Sequence, residues 1–228
     1  MPCSCCGCEG IERHFDDRKS RKDLDRFRKR GPDPTTQMLI ESLRHATRAS
    51  GLGTNTLLDI GAGIGVVHHE LLEGDVHQAV HVEIASGHLA VAREETERRG
   101  HASRVRFVRG DFVALADGIE IADLVTLDRV ICCYPDMQAL VRLSAARTRQ
   151  LYGAVYPRDA WWVRLVTALD NARRRFKGSA FRSYVHPPDA IRAEIERAGL
   201  ELVESRRSFV WEIAVYRRVV DYRGGAAT

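Results

Sequence analysis

The chain has 228 residues, 44% of them hydrophobic and 29% charged, with a formal net charge of +4. A chain of this length buries about 70% of its unfolded surface, so it needs neither disulfides nor a metal to hold a core. So small a net charge does not by itself imply nucleic acid, and no apolar run approaches the ~20 residues of a membrane span.

The first residues carry no basic stretch ahead of an apolar core, so no signal peptide is expected. The six cysteines are then expected as thiols in a reducing cytoplasm. Cys3, Cys5, Cys6 and Cys8 crowd together in a way that suggests soft-metal or redox chemistry. A structural zinc site takes ligands from two separated loops, however, and the only other cysteines are Cys132 and Cys133. No metal is expected.

Residues 11–30 hold nine Lys/Arg and five Asp/Glu, a helical composition. Ile11 and Phe15 lie opposite Leu24 and Phe27 on one helical wheel. Either the helix breaks near Ser20, or it packs between two surfaces as a lid. Gly31-Pro32-Asp33-Pro34 stops this element, and Asp33 can cap a helix with Pro34 in its first turn and Leu39, Leu43 and Ala46 on its buried face.

Leu57 to Gly65 then reads as a strand feeding a Gly-x-Gly-x-Gly turn, with Val66, Val67, Leu71 and Leu72 resuming at helical spacing. Such a turn lets a ligand lie against bare main chain, and the following helix start favours an anionic group. A dinucleotide fingerprint needs another glycine where Val66 stands. A second apolar run ends in Glu83, 24 residues after Asp59, where a carboxylate can accept from both hydroxyls of a ribose. A third ends on Asp111-Phe112, an acid for an adenine amino group beside an aromatic for its ring. Glycine loop, ribose acid and adenine acid in this order resemble the class I S-adenosylmethionine-dependent methyltransferases.

The fourth strand, Ile121 to Leu127, delivers Asp128-Arg129-Val130-Ile131-Cys132-Cys133-Tyr134-Pro135-Asp136 to the carboxyl edge of the sheet, where ligands bind in open parallel sheets. A helix over 137–149 leads to a fifth strand, Leu151 to Tyr156. Trp162, Val166, Leu169 and Phe176 recur at helical spacing, ending in Arg173-Arg174-Arg175, a solvated helix end or an anion clamp. A short extended insert, Phe181 to His186, precedes a helix with Ile191, Ile195 and Ala198. The runs 200–208 and 209–218 are too close for a crossover and predict an antiparallel hairpin.

Cys132-Cys133-Tyr134-Pro135 lacks the Pro-Pro-aromatic pattern of amide and base methylators. It is similar to the Ile-His-Tyr-Pro of magnesium-protoporphyrin O-methyltransferases and the Glu-His-Val-Pro of quinone-biosynthesis O-methyltransferases. His14-Phe15-Asp16 and Arg26-Phe27-Arg28-Lys29 resemble the arm of the first of these. Cys133 replaces the histidine, and a thiol near pKa ~8.5 is a poor base unless its surroundings lower it. The acceptor is then one that ionises readily, such as a carboxylate, or the base is elsewhere, at His14 or His186.

The resemblance implies an α/β, Rossmann-like, doubly wound seven-stranded sheet over 35–228, with a C-terminal antiparallel hairpin and an N-terminal helical lid over 1–34. It implies a methyltransferase using S-adenosylmethionine on a small molecule, at a carboxylate or hydroxyl oxygen. Asp59, Gly61, Gly63, Gly65, Glu83, Ile84, Asp111, Phe112, Asp128 and Arg129 would hold the cofactor, and His14, Cys133 and Tyr134 would meet the acceptor. No membrane partner and no nucleic acid are expected. The alternatives are a non-catalytic cofactor-binding or thiol- and metal-sensing protein, and an RNA methyltransferase using the basic arm.

Overall fold

The computed structural model describes residues 6–51 and 53–219, and the side chains of all of these but 6–9. The cysteine cluster Cys3–Cys8 lies outside the residues whose side chains are described. Seven strands form one sheet: β1 (Thr56–Ile60), β2 (Gln78–Glu83), β3 (Val105–Arg109), β4 (Ala122–Asp128), β5 (Thr148–Pro157), β6 (Leu200–Arg207) and β7 (Trp211–Arg218). Their order is β3-β2-β1-β4-β5-β7-β6. The first five run parallel, and β7 pairs antiparallel with both β5 and β6. This is the expected doubly wound sheet with its terminal hairpin.

Helices cover both faces, which is why β1 and β4 read as continuous apolar runs rather than alternating ones. On one face α3 (Pro34–Ser50) and α4 (Val66–Leu72) bury Leu39, Leu43, Val67 and Leu71 against Leu57, Leu124 and Val155. On the other, α7 (Met137–Ala146) and α9 (Pro188–Arg197) bury Leu140, Val141, Ile191 and Ile195 against Leu58, Val125 and Tyr152. The remaining helices are α1 (Cys6–His14), α2 (Asp17–Arg30), α5 (Ser86–Arg98), α6 (Phe112–Leu115) and α8 (Trp161–Phe176).

The arm breaks at Phe15-Asp16, earlier than the Ser20 expected. Asp16 caps α2 by accepting from the Lys19 N–H at 2.9 Å, which fixes a new helix start there. The two halves can then face different neighbours. Leu24 and Phe27 of α2 pack on Ile64 and Val91, burials worth roughly 1.5–3 kcal/mol each. Arg28 reinforces this contact by pairing with Glu95 of α5 at 2.8 Å. Gly87 makes the junction possible: a Cβ there would lie 2.9 Å from the backbone of Asp16 and Asp17.

Helix α8 forms as its periodicity predicts, but the apolar face turns outward. Only Val163 of α8 is buried, while Trp161, Leu165, Val166, Leu169 and Phe176 are exposed. The segment 181–186, expected to be extended, pairs with no strand. Asn171 holds it instead, through the N–H and C=O of Ser183 at 2.9 and 2.7 Å.

Candidate active site

A cavity of about 890 Å³ opens at the carboxyl ends of the parallel strands, walled by the glycine turn, Glu83, Asp111, the loop after β4 and the arm. The glycine turn supplies its floor. Gly61, Ala62 and Gly63 line the cavity with main chain, and the Gly63 N–H donates to Glu83 Oε2 at 2.8 Å. Glu83 Oε1 accepts from the N–H groups of Ile84 and Ala85 at 2.8 and 2.9 Å, and the His88 ring nitrogen is 3.6 Å from Oε2. Burial would raise the Glu83 pKa, but His88 and these N–H groups outweigh it and hold the carboxyl below its ordinary value. It is therefore an anionic acceptor at neutral pH, aimed by its own strand end.

Gly65 does not line the cavity, unlike Gly61 and Gly63. It is left-handed at φ 88°, and a Cβ there would lie 2.4 Å from Cε1 of His68 and 3.1 Å from Nε2 of His69. Its glycine is required by histidine packing behind the turn, not by a ligand in front of it.

That packing is a feature composition alone did not reveal. His68, His69 and His81 are fully buried, and His101 nearly so. The rings of His68 and His69 are 4.3 Å apart, those of His68 and His81 5.1 Å, and His69 Nδ1 is 3.4 Å from His101 Nδ1. Burial lowers the pKa of His68 to about 3 and of His69 to about 2, so both are neutral. Asp59 turns its side chain into this layer, 2.9 Å from the Thr126 hydroxyl and 3.3 Å from His68 Nδ1. Burial raises Asp59 to about 7. Its carboxyl thus supports the turn from below, although the residue borders the cavity. The available signal was density: six of the nine histidines fall between positions 68 and 101.

Asp111 caps α6 through the Val113 N–H at 3.0 Å, and its Oδ2 accepts from the Tyr134 hydroxyl at 2.9 Å. Phe112 borders the cavity with its ring largely in the core. Across the cavity, Arg129 adopts φ 60°, a left-handed conformation uncommon outside glycine. Its guanidinium pairs with Asp33 at 2.7 Å and Asp128 at 3.1 Å, and Asp128 accepts from the Thr36 hydroxyl at 2.6 Å. The strained residue is held by the cap of α3, so the capping aspartate serves the site as well as the helix.

The loop after β4 carries Cys132 and Cys133, with Sγ atoms 3.8 Å apart. The hydrogen bond from Cys132, then the Arg174 and Lys19 charges, lower the Cys133 pKa against burial. His14 lines the same cavity and stacks on Phe181 with centroids 4.2 Å apart. Lys19 Nζ donates to His14 Nε2 at 3.0 Å. Burial and the Lys19 and Arg174 charges bring His14 down to about 4. Arg174 also borders the cavity, beside Asp170 at 2.5 Å and the Ser183 hydroxyl at 2.9 Å. Of the triple arginine, Arg174 alone lines the site among the three. His186 lies behind the loop, its Nε2 3.0 Å from the Tyr134 carbonyl.

Residues 58–149 match the sequence profile of a methyltransferase domain. The fold is similar to magnesium protoporphyrin IX methyltransferase from Synechocystis PCC 6803, solved with bound SAM and with bound SAH. The SAM form gives a TM-score of 0.66 at 16% identity, over 96% of this chain and 100% of that one. The SAH form gives 0.66 at 18%, over 92% and 98%. An O-methyltransferase family protein from Burkholderia thailandensis matches at TM-score 0.60 and 16% identity, over 91% of this chain and 64% of that one. An O-methyltransferase family 2 protein from Planctomyces limnophilus, solved with apigenin, matches at 0.56 and 18%, over 82% and 62%. No curated protein matches the chain.

Proposed function

We propose that the protein is an S-adenosylmethionine-dependent methyltransferase, as the methyltransferase-domain match over 58–149 and the similar fold support, and that it methylates a small molecule at a carboxylate oxygen, forming a methyl ester. The cavity residues suit the cofactor: an anionic Glu83 for the ribose diol, Asp111 and Phe112 for the adenine, and bare main chain at Gly61–Gly63 for the amino-acid end. Asp59, Gly65, Ile84, Asp128 and Arg129 keep these groups in position. When bound, the cofactor supplies an electrophilic methyl group on a sulfonium. The protein's task is alignment and exclusion of water, and alignment can account for ~7–11 kcal/mol of a barrier.

One observation carries the choice of acceptor. His14, which lines the cavity and stacks on Phe181, is held at about 4 with its Nε2 accepting from Lys19, so it is a weak base. An acceptor that is already anionic at neutral pH needs no proton removed. Arg174, which lines the cavity, and Lys19, held against His14, put positive charge near that side that suits such an acceptor. Tyr134 shapes the pocket, and Cys133 packs beside the acceptor without taking a proton.

The described part of the N-terminal arm, residues 6–34, acts as a lid on the domain that begins at residue 35. Glu12 binds the Ser86 N–H at 3.1 Å and Arg109 at 3.3 Å, tying α1 across the mouth. Closure of this kind strengthens the electrostatics inside. A cytoplasmic setting suits the unbridged pair Cys132 and Cys133.

The test is to incubate the protein with methyl-labelled S-adenosylmethionine and a cell extract, then treat the labelled product with alkali. A methyl ester releases its label as methanol. Label that survives alkali removes the carboxylate reading.

A further inference from the structure

On its inner side α8 holds the segment that lines the active cavity, through Asn171 and Arg174 to Ser183. The opposite side presents Trp161, Leu165, Val166, Leu169 and Phe176. Their spacing places them on one stripe about 140° wide on an ideal helix, centred opposite the side that carries Asn171 and Arg174. Trp161 is 77% exposed, Leu169 61% and Phe176 94%. The stripe continues onto a second element, because Trp162 stacks on Phe209 with centroids 4.4 Å apart and Phe209 is itself 77% exposed. Isolated surface apolar residues need no explanation, but an aligned helix face with an aromatic at each end does.

The charges around this face choose its occupant. Residues 161–177 contain five basic side chains and one acidic one. Asp170 takes Arg173 and Arg174, and Asp159 takes Arg164. Arg175 and Lys177 have no acidic partner among the described residues. A second copy of the chain would bring this cationic helix end against another equally basic helix. An anionic lipid surface instead offers apolar depth to the stripe and negative headgroups to the flanking bases, the pattern of a helix lying in a membrane interface.

We propose that α8, with Phe209, attaches the protein peripherally to anionic membranes, its axis parallel to the surface. This revises the expectation of no membrane partner, which rested on the missing spans; among the described residues no helix is long and apolar enough to cross a membrane, and none need be. Attachment there would set the wall formed by Arg174, Phe181 and Ser183 close to the lipid.

The test is co-sedimentation of the full chain with vesicles of phosphatidylcholine alone and of phosphatidylcholine with phosphatidylglycerol, at low and physiological salt. The wild type should sediment with the anionic vesicles at least about tenfold better than with the neutral ones. A triple variant, Leu165→Ser, Leu169→Ser and Phe176→Ser, should lose that binding with an unchanged melting temperature, since all three side chains are exposed. Arg175→Glu with Lys177→Glu should weaken it about tenfold. Absence of binding to anionic vesicles, or binding that survives the triple variant, overturns the proposal. So does a wild-type dimer in sedimentation velocity that the triple variant dissolves, which would give the face to a second copy.

Discussion

The Tyr134 hydroxyl donates to Asp111 Oδ2 at 2.9 Å, joining the loop after β4 to the loop after β3. The side of the cavity assigned to the adenine is thus coupled to the side assigned to the acceptor. Tyr134→Phe should cost about 0.5–1.5 kcal/mol of stability and raise the KM for S-adenosylmethionine several-fold. Thermal melting and steady-state kinetics read both. An unchanged cofactor KM would mean that the two loops hold their places independently.

Glu83→Ala should weaken S-adenosylmethionine binding by about 1–3 kcal/mol, roughly 5- to 150-fold, because the ribose hydroxyls lose their acceptor. Glu83→Gln should fall between the two, since one oxygen remains to accept. Calorimetric titration decides it, and equal affinity in all three proteins would remove Glu83 from the cofactor site.

Cys133→Ala should slow turnover less than about threefold if the acceptor is a carboxylate. A general base contributes about 10²–10⁴ in rate, so a loss of that size would make the Cys133 thiolate the proton acceptor. Its lowered pKa gives that outcome chemical meaning.

Gly65→Ala should destabilise the fold by at least about 1–2 kcal/mol, from the left-handed backbone alone, with the clash against His68 added. Gly63→Ala has the same backbone problem at φ 58°, but its Cβ would meet only the His88 ring, at 3.8 Å. The two variants should therefore separate, with Gly65→Ala the less stable in a denaturant titration and Gly63→Ala the one with an intact histidine layer.

Acid should unfold this protein early. His14, His68 and His69 have folded pKa values of about 4, 3 and 2, below the ordinary 6.5. Below pH ~6.5 the unfolded chain binds protons that the folded chain refuses, so stability falls as pH drops from there toward 4. Asp59 acts in the opposite sense. Raised to about 7, it binds a proton in the folded state between pH 7 and 3.8, and stabilises the fold as pH falls. Three histidines outweigh one carboxyl, and His81, which burial also holds well below its ordinary value, adds to them. Melting temperatures should decline between pH 6.5 and 4.5; a rise over that range would mean that Asp59 dominates.

The strands and the hairpin were legible because each strand is a local apolar run and a short link permits only one pairing. Glu83 and Asp111 were legible because an acid after an apolar run ends at the ligand edge of a parallel sheet. Helix α8 was legible as a helix, but periodicity defines a stripe without saying which side the rest of the protein occupies. The break at Asp16 carried a local sign, an N-capping residue, which the wheel argument about Ser20 overlooked. His68, His69, His81 and His101 come from α4, β2 and the turn after α5, so nothing local announces that they meet. The pairing of Arg129 with Asp33 spans nearly a hundred residues and is equally a product of tertiary packing.

The position of β7 has a consequence for biosynthesis. Among the described residues it is the last strand in chain order, yet it lies inside the sheet between β5 and β6. While the ribosome is still adding residues 158–218, β5 stands as an open edge with Leu151, Tyr152, Ala154 and Val155 awaiting cover, residues that are wholly buried once folding is complete. An edge of that kind accepts any strand offered to it. The nascent chain therefore passes through a stage at which chaperone capture, or a neighbour's hairpin inserted in place of its own, competes with correct closure.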